Sequence, residues 1–156
     1  MRAMLFAVVA TLSSHALAAD SIYINTELTR NGVTVDNFFG VTTGGFTQPH
    51  RNVEVIKYRN GIVNGKVVMA ELEVGTTASI TPVVTSDGSI RYRFDVDYRR
   101  LEKMNKAEVV GSYLDQPQTE GFKLSNTDTI PNGGKREYKS FERGVEYIYT
   151  VSATKQ

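Results

Sequence analysis

Between residues 67 and 99 apolar and polar positions alternate almost without a break. Val68, Ala70, Leu72, Val74, Ala78 and Ile80 share one parity, and Glu71, Glu73, Thr77, Ser79 and Thr81 share the other. Past Thr85-Ser86-Asp87-Gly88-Ser89 the pattern resumes, with Ile90, Tyr92, Phe94, Val96 and Tyr98 set against Arg91, Arg93, Asp95, Asp97 and Arg99. Side chains of a strand point to opposite faces with period two, so both runs predict strands with one oily and one wet face. Asp87-Gly88 supplies the positive φ that a tight turn requires. The stretch reads as a long β-hairpin.

The flanking chain repeats the theme in shorter pieces. Ile22, Ile24 and Leu28 alternate with Tyr23, Asn25 and Glu27, Asn31-Gly32 turns, and Val33, Val35, Phe38 and Phe39 continue as the second strand of a first hairpin. Gly44-Gly45 and Pro49 predict a loop over 42–52. Residues 53–59 read as a strand, and Asn60-Gly61 with Asn64-Gly65 as a short hairpin or a kinked connection. Residues 100–113 fit either a short helix or a strand extension that ends in an exposed loop, and Asp115-Gln116-Pro117 reads as a loop. Phe122, Leu124 and Ile130 anchor a further strand, and Pro131-Asn132-Gly133-Gly134 turns it. Residues 135–141 are extended, and Val145, Tyr147, Tyr149 and Val151 share a face of the last strand. About seven to nine strands with frequent turns and little helix predict an all-β fold, an antiparallel β-sandwich or partly open barrel built from hairpins.

The first residues have a different pattern. Arg2, the apolar run from Ala3 to Leu12 and the small residues Ala16 and Ala18 form a secretory signal, so 1–18 is expected as a cleaved leader and 19–156 as a single β-domain. Loss of Arg2 leaves equal numbers of basic and acidic residues, which gives no long-range attraction for nucleic acid. The chain has no cysteine, which removes disulfides and thiol chemistry and suits a periplasmic address. No later apolar stretch has the length of a membrane-spanning helix, and no direct membrane span is expected.

Candidate chemistry is sparse. His50 is the one histidine beyond the leader, and no sequence signature supplies it with a nucleophile or an orienting partner, so it reads as a solvated loop residue. One histidine without cysteine is also a poor start for a metal site, and no cofactor is expected. Glu71 with Glu73, and Asp95 with Asp97, are paired carboxylates, but arginines share the aspartates' face and would lie opposite the glutamates if the two strands pair. Cross-strand ion pairs on a wet face account for them. Neither Gly44-Gly45 nor Gly133-Gly134 is followed by the residues of a phosphate loop.

Val74-Gly75, Ile80-Thr81-Pro82, Ser86-Asp87-Gly88-Ser89-Ile90 and the alternation through Val96 together resemble the C-terminal hairpin of secretins, the outer-membrane ring proteins of type II and type III secretion and type IV pili. Pro117-Gln118 and the run Asn126-Thr127-Asp128-Thr129-Ile130-Pro131-Asn132-Gly133-Gly134 are similar to a later secretin strand that ends at a proline turn. The resemblance covers about 74–134. Secretins are much larger, and where they continue as an apolar strand this chain has Lys135-Arg136-Glu137-Tyr138-Lys139. The resemblance implies an exported protein that is a small component or accessory of a secretion or pilus apparatus, located in the periplasm or at the outer membrane, and the lack of a catalytic set makes a non-enzymatic role the expectation. Its partner would be a cell-envelope protein such as a secretin or pilus component, met through Arg91, Arg93 and Asp95. The alternative is a stand-alone periplasmic binding or inhibitor protein that uses Phe46, His50 and Arg51 in the 42–52 loop. A hydrolase built on His50 is a third class, and an acid within hydrogen-bond reach of the imidazole beside a cleft would argue for it.

The leader reading makes a direct prediction. Intact mass of the protein from a periplasmic extract should place the mature N-terminus at Ala19 or Asp20. A chain retaining Met1 in the membrane fraction would overturn the address.

Overall fold

The computed structural model describes residues 20–156, and the expected leader lies outside them. Eight strands run in order: β1 (Ser21–Arg30), β2 (Val33–Thr43), β3 (Gln48–Val63), β4 (Lys66–Val84), β5 (Ile90–Val109), β6 (Ser112–Ile130), β7 (Lys135–Glu142) and β8 (Val145–Lys155). They form two four-stranded antiparallel sheets, a short one in the order β2-β1-β8-β7 and a long one in the order β3-β4-β5-β6. The sheets pack as a sandwich and do not close into a barrel, one of the two architectures that the sequence left open.

Inward-facing positions of both sheets make the core. Ile22, Ile24 and Leu28 of β1 and Tyr147, Tyr149, Val151 and Ala153 of β8 meet Ile90, Tyr92, Phe94, Val96 and Tyr98 of β5, with Ile80, Phe122 and Ile130 beside them. Phe94 sits at the centre, its ring centroid 4.8 Å from that of Tyr138 and 5.1 Å from that of Tyr149. Such tilted contacts add to the large apolar area that each ring removes from water.

The long sheet outruns the short one. β4 and β5 pair only from Gly75–Arg99 to Val84–Ile90. Beyond that row β3–β4 and β5–β6 continue as separate two-stranded arms, which turn at Asn64-Gly65 and Val110-Gly111. The arms explain most departures from the sequence reading. Val68 is 40% exposed because it lies in an arm with no sheet above it, whereas Ile80 of the same parity reaches the core. Residues 100–113 are strand extension rather than helix. Asp115-Gln116-Pro117 is strand, not loop, and Asn60-Gly61 is a bulge within β3. The 42–52 segment shrinks to a turn around Gly44-Gly45, and His50 and Arg51 belong to β3.

One row crosses all four long strands where the arms begin: Val53, Gly75, Arg99 and Gly121. Gly75 has φ 118°, and a Cβ there would strike the carbonyl oxygen of Asn52. A Cβ on Gly121 would strike the carbonyl oxygen of Tyr98. Both close approaches need glycine.

Phe94→Ala should cost about 3–5 kcal/mol, the usual range for truncating a buried aromatic. Arg93, whose side chain is 73% exposed, should lose less than about 1 kcal/mol on conversion to alanine. Urea melts of the two variants test this, and a larger effect at Arg93 would mean that the faces are misassigned.

Candidate assembly surface

An open sandwich leaves four strand edges. β2 lies over β3 at one margin, and β7 over β6 at the other. Each margin is fastened by an aspartate that crosses between the sheets.

At the first margin the Asp36 carboxylate accepts from Asn52 Nδ2 at 2.8 Å and lies 2.8 Å from His50 Nε2. The His50 ring packs on Phe38, centroids 4.8 Å apart. Asp36 is buried because β2 carries a bulge: Leu28 pairs with Asp36 and Thr29 with Thr34, so Val35 is an extra residue and parity flips across it. The expected solvated loop histidine is therefore a half-buried strand residue with a carboxylate partner. The acid required by a hydrolytic reading is present, but it serves as an inter-sheet fastener. Among the described residues Asp36 is the only hydrogen-bond partner of the imidazole side chain, and the adjoining open cleft of about 480 Å³ is walled by Asn52, Gly75, Tyr98 and Arg99 and not by His50.

At the second margin Asp128 of β6 accepts from Tyr138 Oη at 3.1 Å and pairs with Arg136 Nε at 3.2 Å, both on β7. Tyr138 Oη also lies 2.7 Å from Tyr92 Oη. Burial, then the bond to Tyr92, pushes the Tyr138 phenol far above its ordinary range. Burial also raises Tyr92, and it pushes Tyr149 up to about 12. Asp128 shares parity with Phe122, Leu124 and Ile130, a signal in the sequence that an inward polar residue sits there. Asp36 left no such signal, since the bulge that turns it inward is invisible in the pattern.

The candidate residues fall in three places. Arg91, Arg93 and Asp95 are exposed on the outer face of β5, as their parity predicts. Arg93 lies 3.9 Å from Asp95, which also accepts from Ser125 on β6. Phe46 projects from the β2–β3 turn, 68% exposed. Arg51 pairs with Glu73 at 2.6 Å and Lys57 with Glu71 at 3.6 Å, so the glutamates face β3 rather than the arginines of β5. The reason is that β4 and β5 have already parted at Gly75. Among the described residues no group of three or more His, Asp or Glu side chains could hold a metal ion.

The long-sheet edges are treated differently along their length. On β6 the N–H groups of Thr127 and Thr129 donate to the side chains of Asn126 and Asp128, at 2.8 and 2.7 Å, and so are blunted locally. Period two puts Pro117, which has no N–H, on the same outward side. On β3 the outward N–H of Arg59 donates to Asp115 Oδ2 at 2.8 Å, and Pro49 shares its parity. Between Pro49 and Arg59 the N–H groups of Arg51, Val53, Val55 and Lys57 point off the same edge.

No protein-family model matches the chain, and no curated protein matches it. Solved structures do. A near-atomic cryo-EM structure of the Salmonella SPI-1 type III secretion injectisome secretin InvG matches 88% of this chain and 61% of its own, at TM-score 0.54 and 11% identity. The InvG secretin-domain β-barrel from the injectisome base matches 88% and 62%, at TM-score 0.57 and 12% identity. An atomic model of the basal body proteins InvG, PrgH and PrgK matches 88% and 43%, at TM-score 0.54 and 11% identity. This chain thus spans about three fifths of the first two chains and less than half of the third. The likeness is one of fold, and it extends the resemblance read at 74–134 over nearly the whole described chain.

The raised phenols fix a pH dependence. A group whose folded pKa exceeds its unfolded value stabilises the fold fully below the unfolded value, about 10 for tyrosine, and loses that contribution as pH rises further. Stability should fall steeply above about pH 10. In an alkaline titration the tyrosinate absorbance should stay short of the total for 8 tyrosines until the chain unfolds. Smooth ionisation of all of them with circular dichroism unchanged would show that the Tyr92–Tyr138 cluster is open to solvent.

Proposed function

We propose that this chain is a non-enzymatic structural component of a bacterial secretion or pilus apparatus, held in the periplasm or at the outer membrane and joined to its neighbours by strand addition along the long sheet. The observation that carries the reading is that sheet itself. Its marginal strands run 16 and 19 residues, within a fold shared with a secretin domain. A strand edge is a template for another strand.

Strand count favours further copies of this chain as the neighbours. With four antiparallel strands, β6 of one copy runs opposite to β3 of the next, so pairing extends the sheet without changing its pattern. Such a head-to-tail contact propagates or closes into a ring. The exposed charges Arg91, Arg93 and Asp95 lie on the face beside the join, where they would tune partner choice and association rate more than stability. A stand-alone binding role finds less support, because the 42–52 segment is a turn and a strand start and offers little loop.

Val55→Pro tests the reading. It removes an N–H that points off β3 and leaves the ladder to β4 intact. The variant should melt within a few degrees of wild type yet disappear from the large envelope complex on native gels of detergent-extracted membranes. Unchanged incorporation would place the contact elsewhere, with the β2–β3 turn around Phe46 next in line.

A further inference from the structure

Two arms that part at Gly75–Arg99 have no ladder to keep them together. They nevertheless meet, through β3 and β6, the two margins of the same sheet. The contact is small and specific. Arg59 N–H donates to Asp115 Oδ2 at 2.8 Å. The Arg59 guanidinium lies 4.3 Å from the centroid of the Tyr113 ring, and the Lys106 ammonium lies 4.5 Å from it. Tyr113 is thus gripped by a cation from each arm. The grip is polar and partly open to water, the kind of contact that a competing strand can displace.

We infer that this contact is an autoinhibitory clasp: in the isolated chain the β3 and β6 margins occupy one another near the arm tips, and the arms must separate before a neighbouring strand can add along either edge. The inference rests on the strand-addition reading and supplies its regulation. Three features support it. The N–H that Asp115 satisfies points off β3 in the same direction as that of Val55, so the clasp consumes a donor that a neighbour would need. The row of Val53, Gly75, Arg99 and Gly121 sets a glycine of β4 and a glycine of β6 at the arm bases, where the backbone has the most conformational freedom. The cleft of about 480 Å³ between the arm bases is left unfilled by the core, so side chains there need not be torn from a packed interior when the arms move. A neighbour that binds only the open form shifts the population toward it. Until then the purified chain stays monomeric or a small oligomer, soluble without detergent.

The chain lacks cysteine, so Lys66→Cys and Glu108→Cys allow spin labels on the two arms alone. Tyr113→Ala with Asp115→Ala removes the ring and the acceptor, and Arg59→Ala is a milder second opening variant. Melting curves confirm that each is folded. Wild type should give one short, narrow label-to-label distance. The opened variants should give longer, broader ones and should self-assemble at least tenfold faster by light scattering at equal concentration. Adding Val55→Pro to the opened variant should return it to the wild-type rate. An unchanged distance would overturn the clasp. Longer distances with unchanged assembly would overturn autoinhibition while leaving the edge reading to stand on whether Val55→Pro is still excluded from the envelope complex. Assembly of the opened variant that ignores Val55→Pro would overturn the claim that the clasp guards that edge.

Discussion

Backbone N–H and C=O groups at a strand edge demand partners, and two open sheets leave four such edges. The margins of this molecule answer that demand in distinct ways. Asp36 and Asp128 tie the overlying strands together across the sandwich. Asn126 and Asp128 side chains take the outward N–H groups of the residue after each. Pro49 and Pro117 stand where a donor would otherwise protrude. Arg59 and Asp115 close one arm on the other. What remains open on the long sheet is a stretch of β3 between Pro49 and Arg59 and a stretch of β6 between Pro117 and Thr127.

The fastening aspartates differ in their partners. Asp128 is matched by an arginine and a tyrosine that is itself bonded into the core through Tyr92. Asp36 is matched by an imidazole and a carboxamide. The β6–β7 margin is thus continuous with the aromatic centre around Phe94. The β2–β3 margin is held by a smaller set of side chains beside the turn that passes the chain between sheets.

Much of this was legible in the alternation of apolar residues. The parity of Ile90 through Tyr98, of Val145 through Val151, and of Ile22 through Leu28 named most of the core, and the Asn-Gly and Asp-Gly steps named the main turns. The failures share a cause. Alternation reports which face of a strand is oily, but not whether a second sheet lies over it, so Val68 and Leu72 read like Ile80. A bulge at Val35 reverses parity without leaving a compositional trace, so Asp36 was missed and His50 read as partnerless. Loop signals at Asp115-Gln116-Pro117 were edge signals: proline is excluded from a central strand and tolerated at a margin. Pro82 in the central β4 obeys the same rule locally. Its carbonyl accepts from Gly45 N–H, so its missing donor faces the β2–β3 turn rather than the ladder to β5.

The glycine row separates two kinds of evolutionary freedom. On the sandwich side of that row every inward residue is constrained by the opposite sheet. On the far side a strand pair has its own ladder, the clasp and, next to the row, the Arg30–Glu120 ion pair to satisfy. Adding one residue to each strand of an arm would extend its reach by about 3.3–3.4 Å and invert the parity of the residues beyond the insertion, whereas adding two would extend it by twice that and keep the register of faces. Arm length should therefore drift in even steps among related chains, with the core unaltered.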